Sequence, residues 1–313
     1  MAVPHPEPDL FDHVRDHSYF HLPGFWTAHG ETKVPLPEIL GLQLTKYMVL
    51  QLIAGVFVFL VFRGLARRVA SGAPPRGPWW NFWETLALYI RDNVVRPTIG
   101  IPHDAHGHDG HGHHGHDDHG HGDHSHGAAG HVAAATVGHP ADRFLPFIWT
   151  CFFYVLICNL LGAFPWMGSP TANINVTGAL AIITICTVMF YGMQRSGVAG
   201  FWASLAPPMD LPPLMKVVLV PVIWGIELFG FMIKHFVLAV RLFANMMGGH
   251  TVIAVFLLYI ATTATSALWY LVLPSSMFGQ IFVGTLEILV AFIQAYIFAF
   301  LATLFISMAV NPH

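Results

Sequence analysis

Charged residues are scarce in this chain. Of its 313 residues, 10% are charged and 55% are hydrophobic. A soluble domain ordinarily carries about 25% charged residues. The deficit is uneven: from Val217 to the end, the only Asp, Glu, Lys or Arg residues are Glu227, Lys234, Arg241 and Glu287. Cysteine is also sparse. Cys151, Cys158 and Cys186 lie in apolar stretches and form no CxxC spacing. That argues against a disulfide frame or a thiolate metal site and reads as small core hydrophobes. The net charge of -3 favours neither nucleic acid nor another polyion. Residues 1–42 contain no apolar run of the kind a cleavable signal carries. The composition is that of an integral membrane protein.

What is present is a series of long apolar runs. A polar N-terminal segment, residues 1–42, precedes a first transmembrane helix at 43–66, built on "KYMVLQLIAGVFVFLVF". Behind it stand Arg63, Arg67, Arg68 and Arg76. Residues 78–97, "PWWNFWETLALYIRDNVV" and its neighbours, are amphipathic and aromatic at the start, as in a helix lying on the membrane surface. A loop at 98–143 follows. The rest, 144–313, holds two further spans, a Pro-rich link and two overlong apolar blocks at about 216–262 and 275–310. As one helix the first block would measure roughly 70 Å, against a hydrocarbon core of roughly 30 Å. It must break, bend or lie strongly tilted, with Pro221 and Gly248–Gly249 as soft points. The predicted fold is therefore all-α: upright transmembrane helices, one amphipathic surface helix, and a tilted antiparallel helical hairpin at the C-terminus. Lys and Arg concentrate in alternate loops, which places the N-terminus outside and the C-terminus inside.

The few polar residues within the hairpin are patterned. Glu227, Lys234 and Arg241 are spaced seven and seven and so lie within about 40° of one another on a helix. Asn245 joins that face. Glu287 and Gln294 are also seven apart. A turn near Trp269 sets His250 opposite Glu287 and Asn245 opposite Gln294, giving intramembrane polar groups the partners they need. Carboxyl and imidazole groups relay protons. A guanidinium cannot, because it does not deprotonate. Arg241 therefore interrupts a proton wire, while it can attract a mobile carboxylate and strip its proton.

At these residues the chain resembles subunit a of the F-type ATP synthases, the stator half of the Fo proton turbine. "ELFGFMIKHFVLAVRLFANMMGGH" is similar to that family's arginine helix, "EILVAFIQAYIFAFLATLFISMA" to its terminal helix, and "NINVTGALA" to the loop before an earlier span. The resemblance implies that Arg241 faces the carboxylates of the rotating c-ring, with Asn245 and Gln294 flanking it. It implies that His250 and Glu287 line the outer half-channel, in reversed order relative to some bacterial members, and that Glu227 and Lys234 stand near the inner one. It also implies b-type peripheral stalk subunits, the rest of the F1Fo complex and the lipid bilayer as partners. Neither a cofactor nor a nucleotide site is implied, and the location is an energy-transducing membrane such as the bacterial inner membrane.

One segment has no role in the family pattern. Residues 103–131 are a His/Gly/Asp tract holding 12 of the 21 histidines. Imidazoles such as His103, His106, His108, His111, His113 and His114 form a candidate weak site for Zn, Ni or Cu. The tract has no residues for a core and is expected to be a solvated inner loop. It also raises an alternative function, a divalent-metal transporter. That reading needs acidic or imidazole ligands inside the membrane, where Arg241 would instead repel the ion.

Overall fold

A computed structural model describes residues 16, 18–22, 32–39, 42–70, 77–99, 139–164, 168–205 and 213–310. The polar N-terminal segment contributes two short antiparallel strand pairs, β1 Tyr19–Leu22 with β2 Thr32–Pro35 and β3 Glu38–Ile39 with β4 Leu42–Gln43. Every later element is helical. Five helices are long and apolar enough to cross a membrane, and the fold class is all-α apart from those strand pairs.

Helix α1, Lys46–Ala70, extends past its apolar run and takes Arg63, Arg67 and Arg68 into its last turns. Such side chains keep their heads at the interface while the backbone stays helical. Arg68 lies over the Trp80 ring at 4.4 Å. Trp80 in turn fills the space that a side chain at Gly64 would occupy, which seats α2, Pro78–Ile90, on the end of α1. Pro78 opens α2 at the position where a helix needs no amide donor. The amphipathic stretch then runs on through a π-helical turn, Arg91–Val95, into α3, Arg96–Ile99.

A short 3-10 turn, Pro140–Phe144, leads into α4, Leu145–Gly162. This helix is the pillar of the bundle: 61% of its apolar window is buried, against 17% for the window of the longest helix. It packs on α1 and on the terminal helix. The Trp149 Nε1–H donates to the Ala87 carbonyl at 2.9 Å, tying α4 to the surface helix. Next come α5, Ile174–Ser196, and α6, Val198–Ser204. Gly197 joins them at a φ of 74°, a conformation suited to glycine.

The hairpin comprises α7, Pro213–Thr263, and α8, Trp269–Val310. At about 1.5 Å per residue their 51 and 42 residues span roughly 76 and 63 Å, so neither stands upright in a bilayer. Neither Pro221 nor Gly248–Gly249 breaks α7, and Pro274 sits inside α8. Helix interiors in apolar surroundings retain their remaining backbone bonds around a proline, because no water competes for them. The turn occupies residues 264–268, just before the expected Trp269. Ala291, Ala295, Ala299 and Ala302 are fully buried along one side of α8. A stripe of small residues lets neighbouring helices approach closely. The opposite faces carry large exposed apolar side chains such as Leu52, Phe59, Phe229, Phe278 and Ile281, as a lipid-facing surface requires.

Candidate functional site

The hairpin's polar residues divide into an exposed row and a buried set. Glu227, Lys234 and Arg241 all lie on exposed positions of α7, as their common face predicts. None of the three forms an ion pair among the described residues, so the local neutralisation of Glu227 by Lys234 is not made. Arg241 thus presents a guanidinium outward from the middle of an apolar helix. Behind it, Gln294 of α8 is only 7% exposed, and its Nε2 donates to the Arg241 carbonyl oxygen at 3.1 Å. The α8 side chain therefore grips the α7 backbone at the arginine's own turn. Gln294 meets Arg241 rather than Asn245, about one turn from the expected pairing. The half-buried Asn245 amide instead reaches the Met246 sulfur at 4.0 Å, a weak contact.

Glu287 reaches α7 beside the position of His250, where α7 and α8 pack together. A Cβ at Gly249 would collide with the Glu287 carboxyl, so that carboxyl rests directly on the α7 backbone one residue before His250. Glu287 Oε1 and His250 Nε2 are both buried without a protein hydrogen-bond partner. Buried polar atoms in this condition are ordinarily served by water. Further orphaned atoms are Asn159 Nδ2 on α4, Gln280 Nε2 on α8, Trp83 Nε1 on α2 and His235 Nε2 on α7. Asn159 is fully buried and its Oδ1 accepts from Thr171 Oγ1 at 2.8 Å. Thr171 has one proton to give, so Ser169 Oγ donates to Thr171 Oγ1 across their 2.7 Å contact.

Sequence reasoning overlooked Asn159, Gln280, Lys46 and His235. Asn159 is a polar residue inside an apolar span and was a readable signal. His235 stands beside Lys234, yet it was passed over because histidine is not counted among the charges. It is fully buried. Its Nδ1–H donates to the Phe231 carbonyl at 2.9 Å, and its ring packs on Phe305 at 4.4 Å, so it joins α7 to α8. The candidate metal ligands His103, His106, His108, His111, His113 and His114 lie outside the described residues. Among the described residues, no three His, Cys, Asp or Glu side chains gather as a metal ion would require.

Moving an ion across a bilayer is the class of work this arrangement defines, because titratable groups sit at protein-enclosed depth and a fixed cation faces outward beside them. The profile of the family described as "ATP synthase A chain" matches residues 128–307. The chain is 34% identical over 307 residues to "ATP synthase subunit a" of Chloroherpeton thalassium, covering 96% of this chain and 76% of that one. It is 31% identical over 286 residues to "ATP synthase subunit a" of Myxococcus xanthus, covering 91% and 78%. Against "ATP synthase subunit a 2" of Chlorobaculum tepidum it is 29% identical over 305 residues, covering 96% and 72%. The chain belongs to the ATP synthase subunit a family and is a membrane-embedded, proton-channel stator subunit of the F1Fo complex. Nothing in these comparisons supports the metal-transporter alternative.

Proposed function

We propose that Arg241 faces the carboxylates of a multi-copy c-ring, between two half-channels that open on opposite sides of the membrane. The observation that carries this reading is the exposed guanidinium in mid-helix with no counter-ion among the described residues. An arginine in hydrocarbon needs an anionic partner. If this chain does not supply one, a neighbouring subunit does.

In this reading a proton enters from outside through His250 and Glu287 and neutralises a ring carboxylate. The neutral carboxyl rotates through lipid at far less cost than an ionised one. On completing the turn it meets the inner half-channel near Glu227 and Lys234 and releases its proton. Arg241 then holds the carboxylate in its ionised form, while its own permanent charge blocks a direct leak. Gln294 supports the step by fixing the backbone that carries Arg241. Each charge crossing 100 mV gains about 2.3 kcal/mol, so several protons are needed per ATP. The buried, orphaned atoms on His250 and Glu287 suit a water-assisted relay. The alternation of basic loops supports an outside N-terminus and an inside C-terminus. The bacterial relatives support a bacterial inner membrane, and the family supports b-type stalk subunits as further partners.

Arg241→Ala tests the reading. Proton-driven ATP synthesis in vesicles should disappear while the complex still assembles. Arg241→Lys should recover little, because an ammonium lacks the planar fork and deprotonates when desolvated. Full coupled synthesis by the alanine variant would exclude the proposed role.

A further inference from the structure

Arg143 is held by two elements at once. It lies in the 3-10 turn that leads into α4, yet its Nη2 donates to the Gln194 Oε1 on α5. Its guanidinium also lies over the Phe144 and Tyr191 rings, 5.9 and 5.8 Å from their centroids. Those two rings meet edge to face at 4.8 Å. Rings and carboxamide together fix the place of the cation. No carboxylate among the described residues balances it. The adjacent Asp142 accepts from Arg96 on both of its oxygens, and α5 has no acidic residue. Arg195, four residues along α5 from Tyr191, is exposed like Arg143. On a helix that spacing puts it within about 40° of Tyr191. Neither arginine forms an ion pair among the described residues.

Tyr191 is also one end of an apolar groove. The groove is open, holds about 420 Å³ and is lined by Ile182, Ile183, Cys186, Thr187, Phe190 and Tyr191 of α5. Thr187 Oγ1 donates to the Ile183 carbonyl at 2.8 Å, so its hydroxyl is spent within the helix. From Ile182 to Tyr191 the groove runs roughly 14 Å along α5. That is about half of a hydrocarbon core of roughly 30 Å. The groove is thus as long as one leaflet, and it ends at two cations where the headgroups of that leaflet lie. Its walls are bulky Ile and Phe rather than the small residues that let a second helix approach closely.

We propose that this groove is a binding site for an anionic phospholipid: one acyl chain lies along residues 182–191, and Arg143 and Arg195 hold the phosphate headgroup. The site goes beyond the proton path and uses none of its residues. A guanidinium offers five N–H donors in a planar fork suited to phosphate, and Gln194 takes one of them. Stacking on Phe144 and Tyr191 engages the face of the fork and leaves its edge for the headgroup. An anionic headgroup such as phosphatidylglycerol meets the two cations with no cation of its own. Phosphatidylcholine would bring a quaternary ammonium beside them, which like charges oppose.

The test returns the whole complex to phosphatidylcholine vesicles that carry a small fraction of a phospholipid with a photoreactive acyl chain. The probe has either a phosphatidylglycerol or a phosphatidylcholine headgroup, and its adducts are mapped by mass spectrometry. The phosphatidylglycerol probe should label residues 182–191 at least about fivefold more than the other, the factor that one arginine beside an anionic headgroup supplies. Unlabelled phosphatidylglycerol should compete, and inorganic phosphate at the same concentration should not. Arg143→Gln with Arg195→Gln should bring the two probes level, while Arg143→Lys with Arg195→Lys should keep most of the preference. Equal labelling by the two probes in the parent, or an undiminished preference in the glutamine variant, overturns the proposal. If the glutamine variant does not assemble, the headgroup preference and competition in the parent decide alone. A photoreactive residue in place of Phe190 tests the other occupant: a crosslink to another subunit in place of lipid means that a protein helix fills the groove, and refutes the site. None of these readouts measures proton flow, so their failure leaves the role of Arg241 where its own variants put it.

Discussion

Gly249 is where two helices share one space. The Glu287 carboxyl occupies the position of its missing Cβ, so Gly249→Ala must shift the Glu287 carboxyl from its seat on the α7 backbone. Displacing a proton-relay group by about 1 Å costs up to about a hundredfold in rate, and alanine is the better helix former by about 1 kcal/mol. Proton-driven synthesis should therefore fall between about tenfold and a hundredfold in a complex that assembles normally. Gly55→Ala on α1, where a methyl group meets nothing within 4 Å, is the matched control. The pair can also be tested by exchange. His250→Glu combined with Glu287→His should recover more synthesis than either single change, since contacting residues are not additive. A double variant no better than the poorer single would show the two act separately. Arg241, His250, Glu287 and Gln294 were legible in the sequence because polar residues in long apolar runs are few. Lys46 was not, since at the edge of a span it looks like an interface residue. Its burial depends on Gly168 and on a segment far away in the chain. The one-turn displacement of Gln294 from Asn245 was equally hidden, because it depends on which backbone oxygen the carboxamide reaches.

Helix α3 and the turn before α4 are joined by a clasp that no local pattern announces. Arg96 donates from Nε and Nη2 to both carboxylate oxygens of Asp142, at 3.1 and 3.0 Å. Asp92 receives the Arg91 guanidinium at 2.8 and 3.1 Å. The Arg91 hydrogen bond, opposed by a smaller desolvation effect and aided by the charges of Arg91 and Arg96, holds the Asp92 carboxyl below the usual carboxylate range. A carboxylate whose proton affinity is depressed on folding contributes stability above its unfolded pKa and loses it as pH falls through the folded value. Hydrogen-exchange protection of residues 91–99, corrected for intrinsic exchange, should thus stay level from pH 8 to 5 and decline only below about pH 4. A decline already at pH 6 would show that another group holds this segment. Asp142→Asn should cost no more than about 1 kcal/mol, since both partners are partly exposed. Apolar periodicity reveals that helices exist, but their ends depend on such contacts. That is why the surface helix continues to Ile99 and α1 to Ala70; α8 also starts before its expected bound, at Trp269 ahead of Pro274. The strand pairs in the N-terminal segment had no comparable signal, being only two to four residues long.

At the scale of the whole molecule, the described helices form a membrane-spanning bundle, and the His-rich tract lies outside the described residues. Lipid-facing side chains surround α1, α5, α7 and α8, and the exposed row on α7 is the face proposed above for the ring. Residues 100–138 lie outside the described part of the chain. The two ends of that segment, however, leave the bundle from elements that touch. Helix α3 packs on the 3-10 turn that begins at Pro140, and the Arg96–Asp142 clasp lies inside both ends. Ser307 Oγ donates to the Thr98 carbonyl at 2.8 Å, so the end of α8 anchors the same corner. The family match begins only at residue 128, leaving most of the tract beyond it. The contacts described for Gln294 and Glu287 are made with α7, at Arg241 and Gly249. Replacing residues 101–137 by a polar link of about six residues, a common length for such connections, should therefore leave the bundle assembled and ATP-driven acidification of vesicles nearly parental. A chelator selective for Zn, Ni and Cu over Mg should not inhibit the parental complex. The assay must be paired with a measure of c-ring content, because loss of assembly and loss of conduction both abolish acidification. Strong loss of pumping in a complex with its full ring would mean that the tract takes part in proton transfer or its control, and the boundary drawn at the clasp would have to move.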